Sequence, residues 1–277
     1  MFNPAQTANQ IRIEVVKMIT QAKSGHLASA LGLADFFTIL YFKFLKHRAS
    51  ESTWQDRDYF FMSNGHACAA WYATLALAGY FDKGELKTFR QINSRLQGHP
   101  HLDLLSGIEN TSGSLGQGLS QACGLAKALA TDHKHNQVIC LISDAELQEG
   151  QTWEAIMFAA HHHLHNIILV IDNNNIQIEG KVEDVMSVQP IKEKLQSFGW
   201  DSFAVYGHDY QQIEEALQIA KQARKPIAII LKTVPGRGVS FMENNYQWHG
   251  QVPTENQSVR ALEELISNQE RLTNEAN

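Results

Sequence analysis

An acid and an amide at two strand ends carry the first chemical signal. The apolar run Gln137–Ser143 reads as a β-strand, and Asp144 follows it directly. About thirty residues later a second apolar run, Asn166–Asp172, ends in Asn173-Asn174-Asn175. Parallel strands joined by a crossover helix bring their carboxyl ends side by side, and open α/β sheets bind ligands at that edge. A carboxylate and an amide oxygen are hard ligands, suited to a magnesium ion that keeps phosphate oxygens among its partners. Asp144 and Asn174 are therefore candidate metal ligands, and the backbone carbonyl of Ile176 is a candidate third oxygen. Asparagines after a strand also make ordinary turns, because Asn tolerates the left-handed conformation. The pairing with Asp144 is what favours a grip on a metal-bound diphosphate.

Histidine supplies the second signal. His26, His66, His99 and His249 each stand next to a glycine, in SGH, NGH, GHP and WHG. Glycine allows close backbone approach to a ligand, and histidine moves protons near neutral pH. One such histidine alone would mean little; a set of them in turns at element boundaries points to proton transfer. The stretch Thr111–Gly118 (TSGSLGQG) precedes a helix and offers backbone N–H groups to an anion. His161 and His165 in HHHLH are one helical turn apart, but no further ligand motif accompanies them, and histidine suits a helix C-terminus.

These residues need a scaffold that sets them along one edge. Helical spacing over Pro4–Ala22 (Ile11, Val15, Val16, Ile19) predicts a first helix. A run apolar nearly all round, Gly32–Lys46, predicts a buried one. A short strand is expected at Asp58–Ser63, an Ala-rich helix ending at Ala78, a short helix at Gly84–Phe89, and a further helix over Gly116–Ala130. Between the last two, Gln91–Leu115 has no periodicity; an irregular segment of that length is usually functional. Helices over Glu149–His163 and Asp209–Arg224 then alternate with strands at Gln137–Ser143, Asn166–Asp172, Asp201–Tyr206 and Pro226–Thr233. That alternation predicts an α/β fold: a doubly wound, mostly parallel sheet with helices on both faces. Val234–Pro253 reads as a second irregular loop, and a polar helix from Thr254 closes the chain, with a frayed tail from about residue 268 to 277. Neither repeat nor low-complexity linker interrupts 1–277, so one domain is expected.

Composition narrows the setting. The chain has 277 residues, 44% of them hydrophobic, and a net charge of −6. An acidic balance without a basic cluster argues against nucleic acid as a partner. No apolar run reaches about 18 residues, so no membrane span is expected. The three cysteines lie in apolar surroundings and read as buried thiols in a reducing compartment. With no secretory signal in MFNPAQTANQIRIEVV, a cytoplasmic location is expected.

Taken together the motifs resemble the diphosphate-binding domain of transketolase. From about Ile11 to Gly250, SGH (24–26), SNGHA (63–67), QGHP (97–100), TSGSLGQG (111–118), SDAELQEG (143–150), DNNNIQIEG (172–180) and WHG (248–250) follow in the family's order. The resemblance implies thiamine diphosphate as cofactor, bound through Mg2+ or another divalent cation such as Ca2+ or Mn2+. It implies transfer of a two-carbon ketol unit between sugars or sugar phosphates. Asp144, Asn174 and the Ile176 carbonyl would hold the metal. His66, Gly113, Ser114, Leu115 and Ala145 would contact the cofactor, with Asp144, Asn174 and His249. His26, His99 and His249 would act in catalysis, facing the substrate. Glu149 matches an acid that the family uses at the interface linking its two active sites.

Some positions depart from the pattern. Ser143-Asp144-Ala145 stands where the family has Gly-Asp-Gly, and an alanine at a position of positive φ would be strained. His26-Leu27-Ala28 replaces His-Pro-Gly, and Gly113-Ser114-Leu115 replaces Gly-Pro-Leu. In the family a second domain activates the cofactor ring and reads the sugar phosphate. This chain ends before any such domain, begins with Met and closes on a polar helix. The resemblance therefore implies the N-terminal subunit of a split transketolase, working with a C-terminal subunit that carries the pyrimidine-binding domain, in an α2β2 assembly. Other readings stay open on the residues: a 2-oxo acid dehydrogenase α subunit, an acyloin or deoxyxylulose-type synthase, or a non-catalytic homologue that binds a partner.

Overall fold

The computed structural model describes residues 2–276. Helix α1, Pro4–Ala22, begins with the Asn3 side chain accepting from Gln6 N–H at 3.2 Å and ends at Lys23 in the left-handed region. The apolar run that follows is not one helix. It forms α2 (Leu27–Gly32) and α3 (Ala34–Ile39), then a π turn at Leu40–Phe44. Hydrophobicity all round leaves no periodicity to mark a break, so the expected span of 32–46 began too late and missed the interruption at Leu33. Strand β1 (Tyr59–Met62) leads through a 3₁₀ turn at Gly65–Ala67 into α4 (Cys68–Leu77). The short helix near residue 84 is 3₁₀, Lys83–Thr88.

No helix or strand occupies residues 91–115, as expected. Then come α5 (Gly118–Thr131), β2 (Val138–Ser143), α6 (Gly150–His161) and β3 (Ile167–Asn173). A two-stranded hairpin, β4 (Ile176–Gln177) with β5 (Gly180–Lys181), and two short helices, α7 (Val182–Met186) and α8 (Ile191–Ser197), fill a region where the sequence predicted nothing regular. The chain continues with β6 (Asp201–Tyr206), α9 (Tyr210–Lys221), β7 (Ile227–Lys232) and α10 (Glu255–Ala276).

The main sheet has order β1-β2-β3-β7-β6, and every pairing is parallel. Period-two alternation divides its side chains between two cores. Met62, Leu141, Val170 and Ile229 face the layer of α1, α2, α3, α4 and α9; Phe61, Cys140, Leu169 and Ala228 face α5, α6 and α8. Strand β2 is buried along its whole length, whereas β6 at the edge alternates. Cys68, Cys123 and Cys140 are free and buried in these cores.

The last helix runs on past residue 268 to Ala276. Asn9 Nδ2 donates to the Leu265 carbonyl and to Gln269 Oε1, each at 2.8 Å, and Gln6 Nε2 donates to the Leu272 carbonyl at 3.1 Å. Side-chain amides of α1 hold the end of α10, beyond the Ala261 and Leu265 side chains that pack into the core. Asn277 lies outside the described residues.

Candidate active site

The register of β2 and β3 pairs Ser143 with Asp172, so Asp144 and Asn173 stand side by side at the carboxyl edge of the sheet. Asp144 is fully buried. Its Oδ2 accepts from Asn173 Nδ2 at 2.9 Å and from Asn175 N–H at 2.8 Å, and its Oδ1 accepts from Ala145 N–H at 2.9 Å. Asn174 Nδ2 donates to Asp172 Oδ2 at 2.7 Å, and Asn174 Oδ1 accepts from Ile176 N–H at 3.0 Å. Asp144 Oδ1 and Asn174 Oδ1 therefore each retain an accepting lone pair. Burial pushes the Asp144 carboxyl up to about 6, against the hydrogen bonds it accepts. Burial pushes Asp172, which also accepts from Thr233 Oγ1, up to about 7, and the Asp144 charge adds to that. Two carboxyls short of compensation beside free oxygen lone pairs make a donor set that fits a hard divalent cation.

The four glycine-flanked histidines meet beside this edge. His26 immediately precedes α2, His66 lies in the turn after β1, His99 in the long loop, and His249 just after a 3₁₀ turn at Tyr246–Trp248. Ring centroids are 5.2 Å apart for His26–His66, 5.4 Å for His26–His249, 5.0 Å for His66–His249 and 6.4 Å for His26–His99. Burial, then His249, Arg90 and His99, lower the His26 value to about 4. Burial lowers His66 far below its ordinary range, and lowers His249 against the opposing Glu179 carboxylate. Desolvation and the Arg90 charge lower His99, although its ring opens to solvent. Each of these shifts favours the neutral imidazole. His26 Nδ1, His66 Nε2 and His249 Nδ1 are buried without a hydrogen-bond partner, an arrangement that a polar ligand would satisfy.

A cavity of about 330 Å³ joins these groups, lined by all four histidines and by Gly113, Leu115, Ala145, Asn174, Ile176 and Glu149 among others. Two expected site residues lie off it. Asp144 borders an adjoining cavity of about 270 Å³ with Asn173, Asn175 and Lys232, and Ser114 points into neither. Gly113 has φ of 147°, a backbone conformation that favours glycine, and it holds the anion loop beside the His99 ring. At Gly118, a β-carbon would lie 2.7 Å from Ser63 Cα; only glycine lets α5 start this close to β1. Ala145 is not among the residues of positive φ, so the expected strain does not arise, and its methyl group packs against the α5–α6 core.

Glu146 is a residue that the motif reading missed. It is fully buried and accepts from Ser63 Oγ, from Gly116 N–H at 2.9 Å and from Ser143 N–H at 2.9 Å. One carboxylate thereby ties the SNGHA turn, the anion loop and the end of β2 together. The Ser143-x-x-Glu146 spacing of a capping box was the available signal. Glu146→Ala is expected to destabilise the chain by about 3 kcal/mol, with Glu146→Gln milder, in equilibrium urea unfolding. A loss under about 1 kcal/mol would deny it that tying role.

Residues 4–270 match the family described as transketolase, thiamine diphosphate binding domain. The chain is 37% identical over 259 residues to a 6-deoxy-6-sulfo-D-fructose transketolase subunit of Clostridium sp. (strain MSTE9), covering 93% of this chain and 94% of that one. It is 34% identical to an apulose-4-phosphate transketolase subunit of Phocaeicola vulgatus, covering 96% of this chain and 95% of that one. Against the human transketolase, 34% identical, it covers only 42% of the relative's length. The Campylobacter jejuni transketolase structure superposes with a TM-score of 0.88 at 35% identity, covering 98% of this chain and 46% of that one. The order of the histidine turns along the carboxyl edge and these matches lead to one conclusion: the chain belongs to the transketolase family and constitutes its thiamine-diphosphate-binding domain.

Proposed function

We propose that this chain is the N-terminal subunit of a transketolase, moving a two-carbon ketol unit from a ketose to an aldose, and that it acts with a separate subunit carrying the pyrimidine-binding domain. The observation that carries the reading is the convergence of four histidines, three with unpartnered ring nitrogens, on one cavity beside the Asp144–Asn174 edge. Relatives named as subunits match over nearly their whole length, which supports a two-chain enzyme; an α2β2 assembly is the simplest that pairs such chains. Three buried free thiols support a reducing, cytoplasmic compartment.

Asp144, Asn174 and the Ile176 carbonyl would hold magnesium, and through it the diphosphate. His66, Gly113, Ser114, Leu115, Ala145 and His249 would hold the cofactor around it. When bound, thiamine diphosphate supplies the nucleophilic carbon and the electron sink for breaking and making the carbon–carbon bond. His26, His99 and His249 bind substrate hydroxyls and pass protons at their ring nitrogens. A neutral imidazole can donate from one nitrogen and accept at the other.

Mixed with its C-terminal partner, thiamine diphosphate and magnesium, the chain is expected to convert a ketose and an aldose into the exchanged pair. Alone it is expected to give no product. Robust transfer without any partner would sink the two-subunit reading, and pyruvate-dependent synthesis in place of ketose turnover would point to a deoxyxylulose-type synthase.

A further inference from the structure

Arg90 is used by neither the metal grip nor the substrate contacts described above, yet it touches two of the histidine turns. Its backbone is left-handed, with φ of 58°, a conformation costly for any residue but glycine, asparagine or aspartate. The strain closes a loop on itself, with Arg90 N–H donating to the Leu96 carbonyl at 2.9 Å. The guanidinium then reaches in two directions. Nη1 donates to Ser24 Oγ at 2.7 Å, two residues before His26, and Nη2 donates to the Gly98 carbonyl at 3.0 Å, next to His99. Its plane lies on Gly98, where a β-carbon would meet Cζ and Nε at 3.0 Å. Among the described residues Arg90 makes no ion pair, and its Nε is buried without a partner. A half-buried cation without a carboxylate is poorly compensated, so its position calls for a reason beyond stability.

We propose that Arg90 is a positioning residue for ketol transfer: its guanidinium staples the His26 turn to the His99 turn and fixes the separation at which these two imidazoles meet the substrate. The role rests on the transketolase reading for the identity of that substrate, but the staple itself is in the fold. A planar fork suits it, since two donors at a fixed angle hold two acceptors at a fixed separation, which an ammonium cannot do. The same cation favours the neutral form of its neighbours. His26 faces Arg90, His66, His99 and His249; His99 faces Arg90, His26 and His66; of the acids lining the cavity, Glu149 and Glu179, the second acts on His249. Arg90 thus sets both spacing and protonation from behind the site.

The test uses the full chain with its C-terminal partner, thiamine diphosphate and magnesium, as Arg90→Met, Arg90→Lys and Ser24→Ala. Arg90→Met is expected to raise KM for the ketose about tenfold, to leave cofactor affinity within about twofold, and to move the His26 and His99 proton resonances to a higher titration midpoint. Arg90→Lys should restore the midpoints but not KM. Ser24→Ala, which removes one anchor and spares the charge, should raise KM about threefold and serves if Arg90→Met fails to fold. Unchanged KM and unchanged midpoints would overturn the proposal. So would a KM effect matched by an equal loss of cofactor affinity, which would make Arg90 a general support. If the unaltered complex binds no thiamine diphosphate, the transketolase reading falls, while the histidine midpoints still decide the role of Arg90.

Discussion

Asp144→Ala is expected to remove magnesium-dependent binding of thiamine diphosphate, lowering affinity by roughly a hundredfold or more while the chain stays folded. Stability changes little because two effects oppose each other. The variant leaves Asn173 Nδ2 and the N–H groups of Asn175 and Ala145 without their acceptor, but it also removes a carboxylate that burial already penalises. The same burial gives a pH signature. The folded value of about 6 lies above the ordinary 3.8, so between those values the folded chain holds a proton that the unfolded chain has released. The contribution of Asp144 to ligand-free stability therefore declines as pH rises through that window and is constant above it. Metal binding runs the other way, since it needs the carboxylate, and affinity falls as pH drops through about 6. Titration calorimetry across this range, with melting curves of the ligand-free chain, checks both signs. Full cofactor affinity in the variant would remove Asp144 as the metal ligand.

His249→Ala is expected to lower kcat of the assembled enzyme about a hundredfold, with cofactor affinity changed only several-fold. His249 is 9% exposed, holds an unpartnered Nδ1, and stands within 5.4 Å of His26, centroid to centroid. A buried neutral imidazole with a free nitrogen is equipped to move a proton rather than to anchor a diphosphate. Steady-state kinetics alongside calorimetric titration separates the two. Parallel losses in affinity and turnover would make His249 a binding residue instead.

Much of this site is legible in residue types alone, and the parts that are not share a cause. Apolar runs mark strand ends, which is enough to set Asp144 and Asn174 at the sheet edge. Glycine marks the four histidine turns in the same way. What linear order does not carry is approach across the fold. Glu146 meets Ser63 and Gly116 only once three segments close together, and Arg90 looks like a surface arginine until its left-handed backbone turns it inward. Ala145 carries none of the strain expected at the metal edge, because the 3₁₀ turn beginning at Asp144 keeps φ negative there. The β4–β5 hairpin leaves no sequence signal, since two-residue strands have too few positions to show alternation. The break between α2 and α3 is hidden because a helix buried on every side loses its periodicity.

The pairing of α1 with α10 has a temporal meaning. Gln6 reaches Leu272 and Asn9 reaches Gln269, so α1 is completed by a helix that is made much later. Until α10 emerges, Asn9 and the face of α1 that receives Ala261 and Leu265 have no cover. Such long-range closure is slow to form and leaves apolar surface open meanwhile. α10 must therefore be made before this layer can seal, and synthesis interrupted ahead of Glu255 would leave that face of α1 uncovered.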